Sequence, residues 1–159
     1  MTEPHCGATR IPGEAEADRY WLNQAIDLSG KCPVSEFAFS VGAILVSVTG
    51  EVLATGYSRE TDPKDHAEEV ALRRASGTDL AKATLYSSLE PCLGRASRPV
   101  SCSELIAASG LQRVVIAWLE PPKFVPHGGA KWLAARDIAV IQLADLAPAA
   151  RAVNGHLLP

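Results

Sequence analysis

Three residues that lie far apart along this chain have the makings of a single metal site, and that requirement constrains the fold more than any other feature. They are His66 of His66-Ala67-Glu68, Cys92 of Pro91-Cys92, and Cys102. One imidazole and two thiolates give a zinc ion three protein ligands. The fourth tetrahedral position is then left open to water, as in catalytic rather than structural zinc. To share one ion, the three side chains must meet at one point of the folded chain.

The pattern between them predicts how that happens. Residues 19–29 have apolar positions near helical spacing and read as a helix. Residues 41–48 form a short apolar run rich in β-branched residues, as in a strand buried on both faces. Thr49-Gly50 is a turn, and residues 51–58 form the second strand of a hairpin. A helix over 66–75, a strand over 83–90, a helix over 102–109 ended by Gly110, and a strand over 113–120 follow. A short helix over 130–136, a strand over 138–143 and a helical piece over 146–153 complete the chain. Strands alternating with helices call for a mostly parallel sheet with helices on both faces. The expected fold is an α/β three-layer α/β/α sandwich on a mixed five-stranded sheet. Each ligand candidate then follows a strand and lies at or just before a helix start, where open α/β sheets place their sites.

Length and charge limit the alternatives. A chain of 159 residues, 47% hydrophobic, fits one globular domain. Residues 1–16 are polar and acidic and read as a flexible lead-in, with a single domain over 17–159. That lead-in has neither the basic start nor the apolar stretch of a secretory signal. No apolar run has membrane-spanning length. A cytoplasmic chain without membrane association is expected. The formal net charge of -3 and the lack of a Lys/Arg cluster beyond Arg73-Arg74 disfavour nucleic acid as a partner. Those two arginines read as a solvated helix face. Four cysteines could form two disulfides only in an oxidising compartment, so Cys6 and Cys32 read as free thiols. His5, His127 and His156 read as surface histidines.

The chemistry follows from the residue types. A thiolate at a helix N-terminus has a lowered pKa, and a metal lowers it further. Two thiolates and a neutral imidazole then balance the charge of Zn2+, which can still generate a nucleophile from water at neutral pH. Glu68 is the candidate acid/base, taking a proton from water and delivering it to the reacting ring and the leaving amine. Glu69, its neighbour, points away from Glu68 on a helix and reads as solvated.

At these residues the chain resembles the cytidine-deaminase-like superfamily, and within it the pyrimidine deaminase of riboflavin biosynthesis. The resemblance covers roughly residues 20–143. It is carried by residues 41–46, His66-Ala67-Glu68, Leu89-Glu90-Pro91-Cys92, residues 102–110 and the strand from Arg113. Zinc deaminases are recognised by H-x-E and a later P-C-x-x-C, but here residues 93–101 separate the cysteines, which favours the riboflavin branch.

The resemblance implies His66, Cys92 and Cys102 as zinc ligands and Glu68 as the acid/base. It also implies a basic substrate contact between the cysteines, at Arg98 or else Arg95. The branch's asparagine before the first strand is missing from Glu36-Phe37-Ala38-Phe39-Ser40. Ser40 is a candidate polar contact there, and Phe39 or Phe37 a candidate stacking surface. The expected reaction is zinc-dependent hydrolytic deamination of diaminohydroxyphosphoribosylaminopyrimidine, with water as co-substrate and ammonia released. The alternatives are a deaminase of another nucleobase, nucleoside or nucleotide, and a non-catalytic zinc-containing binding module. The family's reductase domain is expected to be absent, with the deaminase unit standing alone. The family also implies a homo-oligomer, with a dimer first.

Overall fold

In the computed structural model, which describes residues 13–124 and 127–159, the chain opens with helix α1, Glu14–Ser29. It begins at Glu14 rather than Arg19. Glu14 and Glu16 lie in its first turn, where their charge complements the positive end of the helix dipole. Acidic residues that resemble a solvated lead-in are therefore helix-starting residues. Cys6 and His5 fall outside the described residues. The helix buries Leu22, Ala25 and Ile26. Asp18, also buried, accepts hydrogen bonds from Tyr86 Oη at 2.7 Å and from Arg113 Nη1 at 2.8 Å. Those bonds fix the helix to the sheet.

The sheet has five strands: β1 (Gly42–Val46), β2 (Val52–Tyr57), β3 (Thr84–Leu89), β4 (Arg113–Trp118) and β5 (Ala139–Gln142). Their spatial order is β2-β1-β3-β4-β5. β1 pairs antiparallel with both β2 and β3, whereas β3–β4 and β4–β5 are parallel. The mixed sheet and the opening hairpin are as expected. Every residue of β1 is buried, as its unbroken apolar run requires, and the edge strands β2 and β5 are only partly covered.

Four more helices complete the layers: α2 (Ala67–Arg74), α3 (Cys102–Ser109), α4 (Gly129–Ala134) and α5 (Ala147–Val153). Helices α1 and α5 pack on each other and on the central strands, while α2, α3 and α4 contact one another in series, α2 against β1 and β2 and α4 against β5. The final helical piece divides into a 3-10 turn, Ala144–Leu146, and α5. Pro148 in the first turn of α5 has no N–H to offer, so the regular helix starts there. No helix among the described residues is long and apolar enough to cross a membrane.

One close approach positions the site. A Cβ on Gly56 of β2 would lie 2.5 Å from the carbonyl of Ala67 and 2.8 Å from Ala71 N. Only glycine lets α2 settle this deeply on the hairpin, with the His66 end over the sheet.

Candidate metal centre and cleft

His66 is the N-cap of α2, Cys92 follows β3, and Cys102 is the first residue of α3. Ser101 caps α3. Its Oγ accepts from the Glu104 N–H at 3.1 Å, and Glu104 Oε2 accepts from the Ser101 N–H at 2.8 Å. That reciprocal pair fixes where α3 starts, and with it where Cys102 points.

The three candidate ligands converge as the sequence requires. Their ligand atoms all lie within 4.8 Å of one another, the one such group of His, Cys, Asp and Glu side chains among the described residues. His66 Nδ1 is 3.6 Å from Cys92 Sγ and 3.5 Å from Cys102 Sγ. Tetrahedral zinc with ordinary bond lengths spaces a sulfur and a nitrogen ligand by about 3.6 Å. The donor set and its spacing therefore fit zinc. Cys92 and Cys102 are both buried and free, so they form no disulfide.

The electrostatics agree. The Cys92 thiol is pushed down to about 4, first by the hydrogen bond it accepts from the Cys102 side chain, against burial and with help from His66. The backbone N–H of Cys102 also donates to Cys92 Sγ, at 3.3 Å. Cys102 is pushed up by the same sulfur pair and by burial. A divalent cation bound here displaces the thiol protons, because the metal takes cysteine as the thiolate.

Glu68 is the second residue of α2 and 3% exposed. Burial raises its pKa, while His66 and a hydrogen bond from Ser87 act the other way. Ser87 Oγ lies 2.7 Å from Glu68 Oε1 and 2.8 Å from the Leu89 carbonyl.

A cleft opens beside these groups, lined by His66, Glu68, Cys92, Phe39, Leu89 and Glu120 among others. Phe39 is 6% exposed and packs edge-on against Trp118 and Phe124, so it is a fixed wall. Phe37 stands at the rim, 81% exposed.

The other sequence candidates are placed differently. Ser40 does not line the cleft. Its peptide is held on both sides by Asn154, whose Oδ1 accepts from Ser40 N at 2.7 Å and whose Nδ2 donates to Ser40 O at 3.0 Å. Its hydroxyl accepts from Arg59 Nη2 at 2.9 Å. Arg98 does not line the cleft and is instead paired with Asp62 and with the buried Asp65. Its Nε is 3.2 Å from Glu69 Oε1 but without the alignment of a hydrogen bond. Arg95, the second choice from the sequence, does line the cleft and is 1% exposed at its side chain. Glu69, read as solvated, is instead largely covered and paired with Arg95 at 3.0 Å. Adjacent helical residues do diverge, but here the second one meets a folded-over loop instead of water.

The remaining thiol and histidines are as expected. Cys32 is a free thiol near the Val41 carbonyl. His127 and His156 are exposed and apart from the centre.

Glu120, just beyond β4, is a site residue that sequence reading missed. It is 8% exposed, and its Oε2 has no partner among the described residues. Burial, followed by the charges of Cys92, Glu68 and Glu90, pushes its pKa up to about 9. Glu90 holds this region in place, with Oε1 accepting from Glu120 N and Oε2 from Ala130 N.

Known proteins share this frame. The diaminohydroxyphosphoribosylamino-pyrimidine deaminase of Schizosaccharomyces pombe is 39% identical over 77% of the chain, which spans 31% of that relative. The protein of the same name from Buchnera aphidicola subsp. Schizaphis graminum is 32% identical, over 77% of this chain and 82% of its own. A solved diaminohydroxyphosphoribosylaminopyrimidine deaminase/5-amino-6-(5-phosphoribosylamino)uracil reductase from Thermotoga maritima superposes with a TM-score of 0.75. It is 28% identical, and the match covers 90% of this chain and 40% of that one. Residues 15–118, which span all three converging ligands and Glu68, match the model of the cytidine and deoxycytidylate deaminase zinc-binding region, and the chain belongs to that family.

Proposed function

We propose that the chain catalyses the hydrolytic deamination of an amino-pyrimidine, diaminohydroxyphosphoribosylaminopyrimidine of riboflavin biosynthesis. The observation that carries this reading is the buried Glu68 carboxyl on the cleft wall, beside three ligands at tetrahedral spacing. Two relatives carry that substrate in their names. His66, Cys92 and Cys102 would hold the zinc, which would supply the Lewis acidity that makes water nucleophilic at neutral pH.

Glu68 takes a proton from the attacking water and passes it to the ring nitrogen. As the water oxygen bonds to the ring carbon, the carboxyl next carries the proton of the new hydroxyl to the amine, so that the carbonyl forms, the C–N bond breaks and ammonia leaves. Ser87 orients this carboxyl. Phe39 and Leu89 give the ring an apolar bed. The Glu120 carboxyl, neutral at physiological pH, can donate to a ring carbonyl or accept from a ring amine.

Ammonia release from a panel of amino-pyrimidines and purines tests the reading. The riboflavin intermediate is expected to react. Turnover of another ring with that compound inert points to the deaminase of a different nucleobase, a reading supported by Ser40 being held away from the cleft. Glu68→Gln should retain stoichiometric zinc and lose about 10²–10⁴ in rate. No turnover of any ring by wild type leaves a zinc-containing binding module, and equal turnover by wild type and Glu68→Gln overturns the role given to Glu68.

The reading also includes a cytoplasmic homo-oligomer, with a dimer first. Light scattering on the purified chain checks it.

A further inference from the structure

We infer that Arg95 is a positioning residue for the metal centre, acting on the Cys102 sulfur, and that Glu69 holds it in that role. This rests on the zinc reading above and extends it to residues that touch neither substrate nor metal.

The Arg95 guanidinium is almost fully committed. Its Nη1 donates to Cys102 Sγ at 3.7 Å. Its Nη2 donates to the Lys64 carbonyl at 2.8 Å and to Glu69 Oε1 at 3.0 Å. Its Nε reaches Ser97 Oγ at 3.4 Å. Arginine has five N–H donors, and these contacts use all but one. A guanidinium free to clamp a substrate phosphate needs a pair of parallel donors facing the ligand. Arg95 does not have such a pair, although it lines the cleft.

The arrangement does suit a metal-bound sulfur. A thiolate on a divalent cation keeps much of its negative charge, and Cys102 is fully buried. A fixed cation donating an N–H to that sulfur withdraws charge from it and sets its direction. Glu69 then connects two ligand-bearing elements. Its Oε1 also accepts from the backbone N–H of His66, at 3.4 Å. One carboxylate therefore steadies the histidine end of α2 and the arginine that steadies the cysteine end of α3.

Cobalt(II) in place of zinc makes the effect visible, because the thiolate-to-cobalt charge-transfer band reports on the sulfur. The full chain is loaded as wild type, Arg95→Met, Arg95→Lys and Glu69→Gln, and metal release to a competing chelator is followed in parallel. Loss of the N–H donor should move the charge-transfer band of Arg95→Met to lower energy, with tetrahedral d–d bands retained, and weaken metal retention by about 10–100-fold. Arg95→Lys should recover part of the shift, and Glu69→Gln should show a smaller shift in the same direction.

An unshifted band in stoichiometrically loaded Arg95→Met overturns the inference. So does an unshifted band accompanied by a raised KM, which makes Arg95 a substrate contact. Should Arg95→Met not fold, the lysine and Glu69 variants decide the matter by the same band. Wild type that takes up no cobalt overturns the zinc reading itself, an outcome distinct from an unshifted band.

Discussion

Ser87 Oγ lies 2.7 Å from Glu68 Oε1, and its other partner is the carbonyl of Leu89, two residues along the same strand. A rigid strand thus aims the one carboxyl assigned to move protons. A hydrogen bond to a charged group contributes about 1.5–3 kcal/mol. Ser87→Ala should therefore lower kcat by roughly tenfold or more, with zinc content and KM close to wild type. Steady-state kinetics with metal analysis measures both.

Glycine at position 56 is needed for the α2–β2 approach. A Cβ there meets backbone atoms of Ala67 and Ala71 at 2.5 and 2.8 Å, and backbone cannot swing aside as a side-chain tip can. Gly56→Ala should destabilise the fold by about 1–3 kcal/mol. It should also weaken metal binding, because the displaced segment carries His66. Denaturant titration and chelator competition read the two effects separately.

Glu120 predicts a pH dependence. Its folded pKa is raised to about 9, above the roughly 4.3 of an unfolded glutamate. The folded state then holds the proton more tightly than the unfolded state between those values. Stability is greatest below the unfolded value and falls as pH rises towards about 9. Glu120→Gln keeps a neutral side chain of the same shape and lacks this slope. Thermal melts of the metal-free proteins should show the variant gaining on wild type from pH 5 to pH 8. Parallel melting curves would contradict it.

Removing zinc should lower the melting temperature, by an amount that grows with the free zinc used for comparison. Cys92→Ser and Cys102→Ser should each abolish this zinc-dependent shift while leaving a cooperative melt.

The sequence revealed the parts governed by local period and punctuation. The end of Cys102–Ser109 was legible because Gly110, with φ 89°, can close the helix. The convergence of His66, Cys92 and Cys102 was legible because each sits where a strand gives way to a helix. Long-range choices were not legible. Spacing within residues 93–101 does not say which arginine turns inward. Arg98 pairs with Asp62 and Asp65, and Arg95 with Glu69 and Cys102, which leaves Arg95 and not Arg98 on the cleft wall. Glu120 looked like the polar end of a strand, since nothing local signals that its carboxyl is buried beside the centre. The bonds of Asn154 to Ser40, from far along the chain, left no trace in any local pattern.

The Ser101–Glu104 cap is made wholly of side-chain and backbone atoms, and the Glu69 bond to the His66 backbone likewise involves no ion. The frame for the ligands thus assembles in advance of its metal, unlike a zinc finger, which folds around its own. Loading should then resemble filling a finished socket, with uptake governed by passage through the cleft, and a stripped molecule should be refillable without first being unfolded.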